Sequence, residues 1–415
     1  MTLIPWLGET RYPIVSLRHA FEITLGKMFQ AAPSSTADVE MPYFKSISIQ
    51  WGGIDPNADL RMWTTPSEQR ELSVRVGDLL ICEGGDAGRS AIYNGPQGFT
   101  FEKSVHRARP RGGSDIRYLG YVLQALHSSG WLDVLCNKAT IRHLTSEKLK
   151  ALEIPLPPVD DQHRIANFLD VETEKLDELI SKKRHLVTLM NEHIDSRVLQ
   201  QVGASRIVDT AAIDAALPIR RILTKVIRPP VADVGIITAY RDGQVTDRTL
   251  RRSEGYTMSA SPEPQGQHVQ MDDVVIHGLD GFAGAIGTSE AIGNCSRVYH
   301  VCVPQGDGDA RYLGRILRLL ALQGYLGNFA ISTRERAVDF RNWDLFGRIP
   351  IPAVPAAEQR EVGKLIEKVR PLHETIERSA RLAAERRQAL ITAAVTGQFD
   401  VSTASGRNVT DGVSA

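Results

Sequence analysis

Ile154-Pro-Leu-Pro-Pro-Val-Asp-Asp-Gln162 opens into a run, ending at Gln200, in which Ile165, Phe168, Leu169, Leu176, Leu179, Ile180, Leu186, Val187, Met190, Ile194 and Val198 recur at spacings of three and four. That periodicity marks a helix with one buried stripe, and neither Gly nor Pro interrupts it. About forty residues at 1.5 Å each make a rod of about 60 Å, longer than one compact domain needs. Ile349-Pro-Ile-Pro-Ala-Val-Pro-Ala-Ala-Glu-Gln359 repeats the strap and opens into a second run, which places Val362, Leu365, Ile366, Val369, Leu372, Ile376, Ala380, Ala383, Leu390, Ala394 and Val395 on one face. Pro371 has no N–H to donate, so a kink or a break near Glu367 is expected. Each stripe needs an apolar partner. The two helices are therefore expected to pack on each other through Leu176, Leu179, Leu186, Met190, Leu365, Val369, Ile376 and Leu390.

Working outward from the straps, the chain is duplicated. Asp115-Ile-Arg-Tyr-Leu-Gly-Tyr-Val-Leu-Gln-Ala-Leu126 aligns without a gap on Asp309-Ala-Arg-Tyr-Leu-Gly-Arg-Ile-Leu-Arg-Leu-Leu320. Val76-Gly-Asp-Leu-Leu-Ile81 aligns on Met271-Asp-Asp-Val-Val-Ile276, and Gly85-Asp-Ala-Gly88 on Gly281-Phe-Ala-Gly284. Repetition at so long a period means two whole domains and not a solenoid. Short apolar runs bounded by Gly, such as Leu79–Cys82 and Val274–Ile276, read as buried strands, and the Arg-Tyr-Leu-Gly segments have helical spacing. The fold class is therefore α+β, with two duplicated mixed domains alternating with two long helices packed as an antiparallel coiled coil. The expected bounds are 1–159 for the first domain, 160–205 for the first helix, 206–352 for the second domain, 353–400 for the second helix and 401–415 for a disordered tail.

Lys and Arg together number 49, as do Asp and Glu, so a protein that merely coats nucleic acid is disfavoured and any such binding must be local. The N-terminus has no basic start followed by an apolar run, and no stretch is apolar enough to span a membrane, which points to the cytoplasm. Cys82, Cys136, Cys295 and Cys302 contain no CxxC pair, so reduced thiols are expected and neither a disulfide framework nor a zinc site is indicated.

Motifs for chemistry are missing. Glu83-Gly-Gly-Asp-Ala-Gly-Arg89 lacks the GK[ST] of a phosphate-binding loop and reads as a tight turn. There is no HExxH, nucleophile elbow or dinucleotide fingerprint. The Asn/Asp-Pro-Pro-aromatic grip of base-amino methyltransferases is absent as well, Pro229-Pro230 lying in an unrelated context. No catalytic, cofactor-binding or metal-ligating residue is expected. Basic residues carry more information. Lys103, His106, Arg107 and Arg109, with Arg61 upstream, form one cluster, and Tyr240, Arg241, Arg248, Arg251 and Arg252 form another. Arginine forks match phosphate oxygens and the major-groove edge of guanine, so these are the candidate DNA-binding residues. A solvated charged surface is the plainer reading of the same pattern.

Two variable domains alternating with two long helices, each preceded by an Ile-Pro-x-Pro strap and a Gln, resemble the specificity subunit of type I restriction-modification systems. Val76–Arg89 and Val105-His-Arg-Ala-Arg-Pro110 are similar to the core of that family's target recognition domains, and Arg386–Gln398 resembles its C-terminal conserved region. Two departures stand out: Asp272 replaces Gly77, and the end of the first helix lacks the Arg-Arg-Gln-Ala-Leu-Ile ending of the second. The resemblance implies that each domain reads one half of a bipartite, asymmetric target in double-stranded DNA, with the helices fixing the spacer. It further implies two modification (methyltransferase) subunits that bind S-adenosylmethionine, and motor-nuclease restriction subunits, as partners. The chain itself would hold no cofactor and no catalytic residue. The rival readings are a non-catalytic coiled-coil scaffold with duplicated protein-binding domains and a DNA-modifying enzyme of unrecognised type.

Overall fold

The computed structural model describes residues 2–4, 8–55, 60–136, 143–202, 216–251, 263–329, 339–398 and 401. Arg252 and the tail beyond Val401 lie outside them. By contact the chain divides into two units, Met1–Ser181 with Ser379–Ala415, and Lys182–Arg378. Each long helix contributes to both. Among the described residues no helix is long and apolar enough to cross a membrane.

In the first unit, strands β1 (Phe21–Leu25), β2 (Leu79–Cys82), β3 (Ser90–Ile92) and β4 (Val105–Pro110) form an antiparallel sheet ordered β3-β2-β4-β1. Because successive side chains leave a strand on opposite faces, Leu79 and Ile81 pack on helix α1 (Ile116–Ser128), whereas Leu80 and Cys82 pack against Phe44, Tyr93 and Phe101. This sheet is buried on both faces, which is why β2 reads as an unbroken apolar run.

The second unit repeats the arrangement. Strands β5 (Leu223–Val226), β6 (Val274–His277), β7 (Ile286–Thr288) and β8 (Tyr299–Pro304) are ordered β7-β6-β8-β5 and are also antiparallel. Val274 and Ile276 face helix α3 (Ala310–Leu322), and Val275 faces Ile237, Val245 and Val269. The duplicated mixed α/β architecture expected from the sequence is present. Even the departure at Asp272 keeps the backbone: Gly77 and Asp272 both have positive φ, +88° and +64°. Asp is among the few residues that tolerate this region.

The straps have a structural reason. Glu153–Pro155 pairs with Ile14–Ser16, and Pro350–Pro352 with Ala216–Pro218, in two-stranded ladders that tolerate a residue without an N–H. The glutamine that follows ties strap to helix. Gln162 Oε1 accepts from the N–H of Asp115, the N-cap of α1, and its Nε2 donates to the Pro157 carbonyl. Gln359 does the same with Asp309, the N-cap of α3, and the Val354 carbonyl.

Helices α2 (Val159–Val202) and α4 (Ala356–Thr396) are the two long rods. Within the first unit, Ile165, Leu169 and Leu176 share a core with Leu390, Ile391, Ala394 and Val395, and Arg387 donates to Asp177 at 3.0 Å. Within the second, Ile194 and Val198 share a core with Val362, Leu365, Ile366 and Val369, and Gln201 donates to the Glu358 carbonyl at 2.7 Å. The pairing is antiparallel, as expected. Covered positions alternate by three and four: Thr173, Leu176, Ile180, Lys183, Val187, Met190 and Ile194 on α2, and Val362, Ile366, Val369, His373, Ile376, Ala380, Ala383, Arg387, Leu390 and Ala394 on α4. That is a heptad seam.

Two expectations fail on this seam. Leu179 and Leu186 do not lie in it; they are 43% and 46% exposed. Each immediately precedes a seam residue, Ile180 or Val187, and one residue rotates a side chain by about 100° around the axis. Leu372 is exposed for a similar reason. Of the kink or break expected at Pro371, the break fails too: α4 runs through it. The hydroxyl of Thr375 donates to the Pro371 carbonyl at 2.7 Å in the neighbouring turn.

His106 on β4 and His300 on β8 are buried at equivalent places, and the Nε2 of each meets a backbone carbonyl, Leu144 and Phe340 respectively, at 2.7 Å. A carbonyl accepts only, so each ring carries a proton on Nε2. Burial lowers both pKa values below the usual 6.5. As pH falls below 6.5 the unfolded chain takes up protons that the folded chain refuses, so stability falls by up to about 1.4 kcal/mol per pH unit per histidine. Urea midpoints are expected to drop between pH 7 and pH 5.5, and to drop less in His106→Gln/His300→Gln; equal slopes in both proteins would refute this.

Candidate nucleic-acid interface

The two basic clusters read from the sequence have different fates. Strand β4 lies between β2 and β1 in a sheet covered on both faces, so its side chains from Val105 to Ala108 are buried. His106 faces the carbonyl described above. Arg107 is 2% exposed; its guanidinium donates to the carbonyls of Glu71 and Ser73, each at 2.9 Å, and to the Thr24 hydroxyl, and stacks on the Phe101 ring 5.5 Å away. Desolvation lowers its pKa to about 10, still leaving it a cation at neutral pH. Arg109 grips Asp78 through two hydrogen bonds of 2.6 and 2.9 Å and also bonds the Ser73 carbonyl. His106 and Arg107 are thus parts of the domain interior, which corrects their reading as DNA contacts, and Arg109 is held by Asp78. Of the first cluster, Lys103 is exposed in the turn between Phe101 and Val105, and Arg61 is exposed on a sheet edge beside Glu40 at 3.2 Å.

The second cluster is on the surface and assembled. Ile237–Ala239 and Val245–Asp247 form a hairpin whose turn carries Tyr240, Arg241 and Asp242, and a short turn at Arg248–Leu250 brings Arg251 back beside it. The Arg251 guanidinium lies over the Tyr240 ring at 4.2 Å, pairs with Asp242 at 2.7 Å and reaches the Gln244 side chain at 3.3 Å. Stacking and a carboxylate together fix a flexible fork in one plane. Arg241 is 68% exposed and touches Asp280 at 2.9 Å. Arg248, half-buried, anchors the turn through its N–H to the Ile236 carbonyl. A fixed, exposed guanidinium flanked by a second one suits a phosphate or a base edge.

Sequence reading missed Arg315 and Arg318 on α3, which lie beside this hairpin. Arg315 is held by Asp195 and by Asn191, whose carbonyl it meets at 2.9 Å. The signal was available in the aligned repeats, where Tyr121 and Gln124 stand at the same helix positions. Among the described residues no group of His, Cys, Asp and Glu is placed to hold a metal. All four cysteines are buried, and burial raises the thiols of Cys82 to about 11 and Cys295 to about 12, so neither is a ready nucleophile.

The architecture is two mixed α/β heads with two long antiparallel helices, the second head presenting an arginine-rich hairpin. Residues 21–188 match the family model of the type I restriction modification DNA specificity domain. No curated protein sequence matches the chain. Among solved structures, the S subunit of a type I restriction-modification system from M. genitalium is 16% identical over 95% of this chain and 98% of its own, with a TM-score of 0.50. A chain from a structure addressing complex assembly and conformational transition of the type I restriction-modification system is 15% identical over 96% of this chain and 100% of its own, with a TM-score of 0.52. The first head matches the type I DNA specificity domain, the whole chain has the S-subunit fold, and the resemblance drawn from the sequence is borne out.

Proposed function

We propose that this chain is the non-catalytic DNA-reading subunit of a type I restriction-modification complex. Each head reads one half of a bipartite, asymmetric double-stranded target, and α2 and α4 set the spacer and dock two modification subunits. Those subunits would bring S-adenosylmethionine and methyl transfer; restriction subunits would bring the motor and nuclease; the site of action is the cytoplasm. The observation that carries this reading is the duplication itself. A head matching a DNA specificity domain recurs with the same strand order, the same capped helix and the same glutamine tie, but with a different surface. Different surfaces on equivalent frames suit two different half-sites, whose centres on one face of B-DNA lie about 34 to 36 Å apart or a multiple of that. Phosphate contacts would set register and groove contacts would specify bases.

The test is to purify the chain with and without candidate methyltransferase subunits, then measure duplex binding, S-adenosylmethionine binding and methylation. Sequence-selective binding that requires the partner is expected. Methylation by the chain alone, or partner binding without DNA selectivity, would overturn the proposal. Within the assembled methyltransferase, Arg241→Ala and Arg251→Ala are each expected to weaken duplex binding by about 1 to 3 kcal/mol. Loss for every sequence alike would mark a phosphate contact, and loss at one base position a base contact. Unchanged affinity of both variants at moderate salt would remove the hairpin from the interface.

A further inference from the structure

The second unit contains a cavity of about 360 Å³ bounded by α3, α2, α4 and the turn of the arginine-rich hairpin. Its walls carry Arg184, Arg311, Arg315, Arg318 and Arg370. The acids there are largely engaged or peripheral: Asp242 pairs with Arg251, Glu290 with Arg370 and the Gln244 amide, while Glu374 and Glu377 are exposed on α4. Arg318 differs from Arg311, Arg315 and Arg370, each of which holds an ion pair. Its Nη2 reaches the Arg241 carbonyl at 3.5 Å, its buried Nε has no partner, and it forms no ion pair among the described residues. Burial and the adjacent Arg315 lower its pKa, against the opposing pull of Asp195 and Asp242, neither of which pairs with it directly.

The frame has been shaped around that side chain. Gly243 takes φ +90°, and a Cβ there would stand 2.5 Å from the Arg318 Cδ. At the equivalent helix positions of the first unit the Tyr121 hydroxyl donates to Asp170 at 2.7 Å, and Gln124 accepts from Arg387 at 3.1 Å. The same helix positions thus carry neutral side chains in one head and arginines on a cavity wall in the other.

We propose that this cavity binds a phosphate-type oxyanion, with the Arg318 fork as its principal donor and Arg184 at its mouth. The volume admits a phosphate or pyrophosphate, and it falls in the range of small-ligand sites. Two sources share that chemistry, a backbone phosphate of DNA lying along the hairpin and a free phosphate or nucleotide. This inference stands on the second unit alone and does not require the restriction-modification reading.

The experiment titrates the full chain with pyrophosphate, by calorimetry and by shift of the melting temperature, at constant ionic strength against chloride. Saturable binding is expected, weakened about tenfold or more in Arg318→Gln and less strongly in Arg184→Gln, whose exposed position makes it a folding-neutral second probe. If DNA is the source, pyrophosphate displaces a duplex, and Arg318→Gln lowers the slope of log affinity against log salt by about one. If the source is a free phosphate, duplex binding is unchanged in the variant while pyrophosphate binding is lost. Absence of saturable pyrophosphate binding by the parent chain, or equal binding by both variants, overturns the proposal.

Discussion

Ile194→Asp is expected to destabilise the second unit by about 4 kcal/mol or more, while Leu186→Asp changes its stability by about 0.5 kcal/mol. Ile194 is 4% exposed in a core with Val362 and Ile351, and it also borders the arginine-lined cavity, so a carboxylate there is buried among apolar side chains with only the cavity wall to face. It loses the apolar transfer energy of isoleucine and adds the desolvation of a charge. Leu186 has the same helical periodicity in the sequence but sits outside the seam, so aspartate there meets water. Hydrogen exchange over residues 182–378 measures both, and it localises the change where a two-unit chain has no single unfolding midpoint. Equal effects of the two substitutions would show that α2 does not use a heptad seam. A loss confined to Ile194→Asp, together with altered spacer preference of the assembled complex, would tie the seam to DNA geometry.

Arg107→Ala is expected to cost the first unit about 3 kcal/mol or more without altering which bases the folded protein prefers. The substitution removes a buried fork, leaving the carbonyls of Glu71 and Ser73 short of donors and Phe101 without its stacked cation. Lysine is a poor substitute because one point donor cannot span both carbonyls. The decisive pair of measurements is hydrogen exchange of β4 and duplex affinity corrected for folded fraction. Native exchange protection with lost affinity would return Arg107 to the DNA interface.

The contrast between the two basic clusters explains where sequence reading stops. Val105-His-Arg-Ala-Arg-Pro110 and the residues from Tyr240 to Arg251 look alike as strings of cations. One is a central strand, and the other is a hairpin turn. Alternation alone does not reveal that the Arg107 and Arg109 face of β4 is covered by a second layer containing Phe44 and Phe101, because that layer comes from segments distant in sequence. The same limit applies to Leu179 and Ile180. Both satisfy a spacing of three and four, and only the partner helix decides which faces inward. Gln162 and Gln359 show the opposite case: their position in repeated straps was visible, and the structure supplied the bond that requires it.

The sequence by itself determined the duplication, the alternation of mixed domains with long helices, the antiparallel pairing and the family resemblance. These are carried by local periodicity and by repeated segments, which need no knowledge of contacts. Tertiary structure alone decided that α4 runs through Pro371, that the seam is a heptad through Ile180, Val187 and Ile194, that His106 and Arg107 belong to the interior, and that Arg318 lines a cavity. Each of these depends on which surface a distant segment covers, and burial is a property of pairs of segments that no single segment encodes.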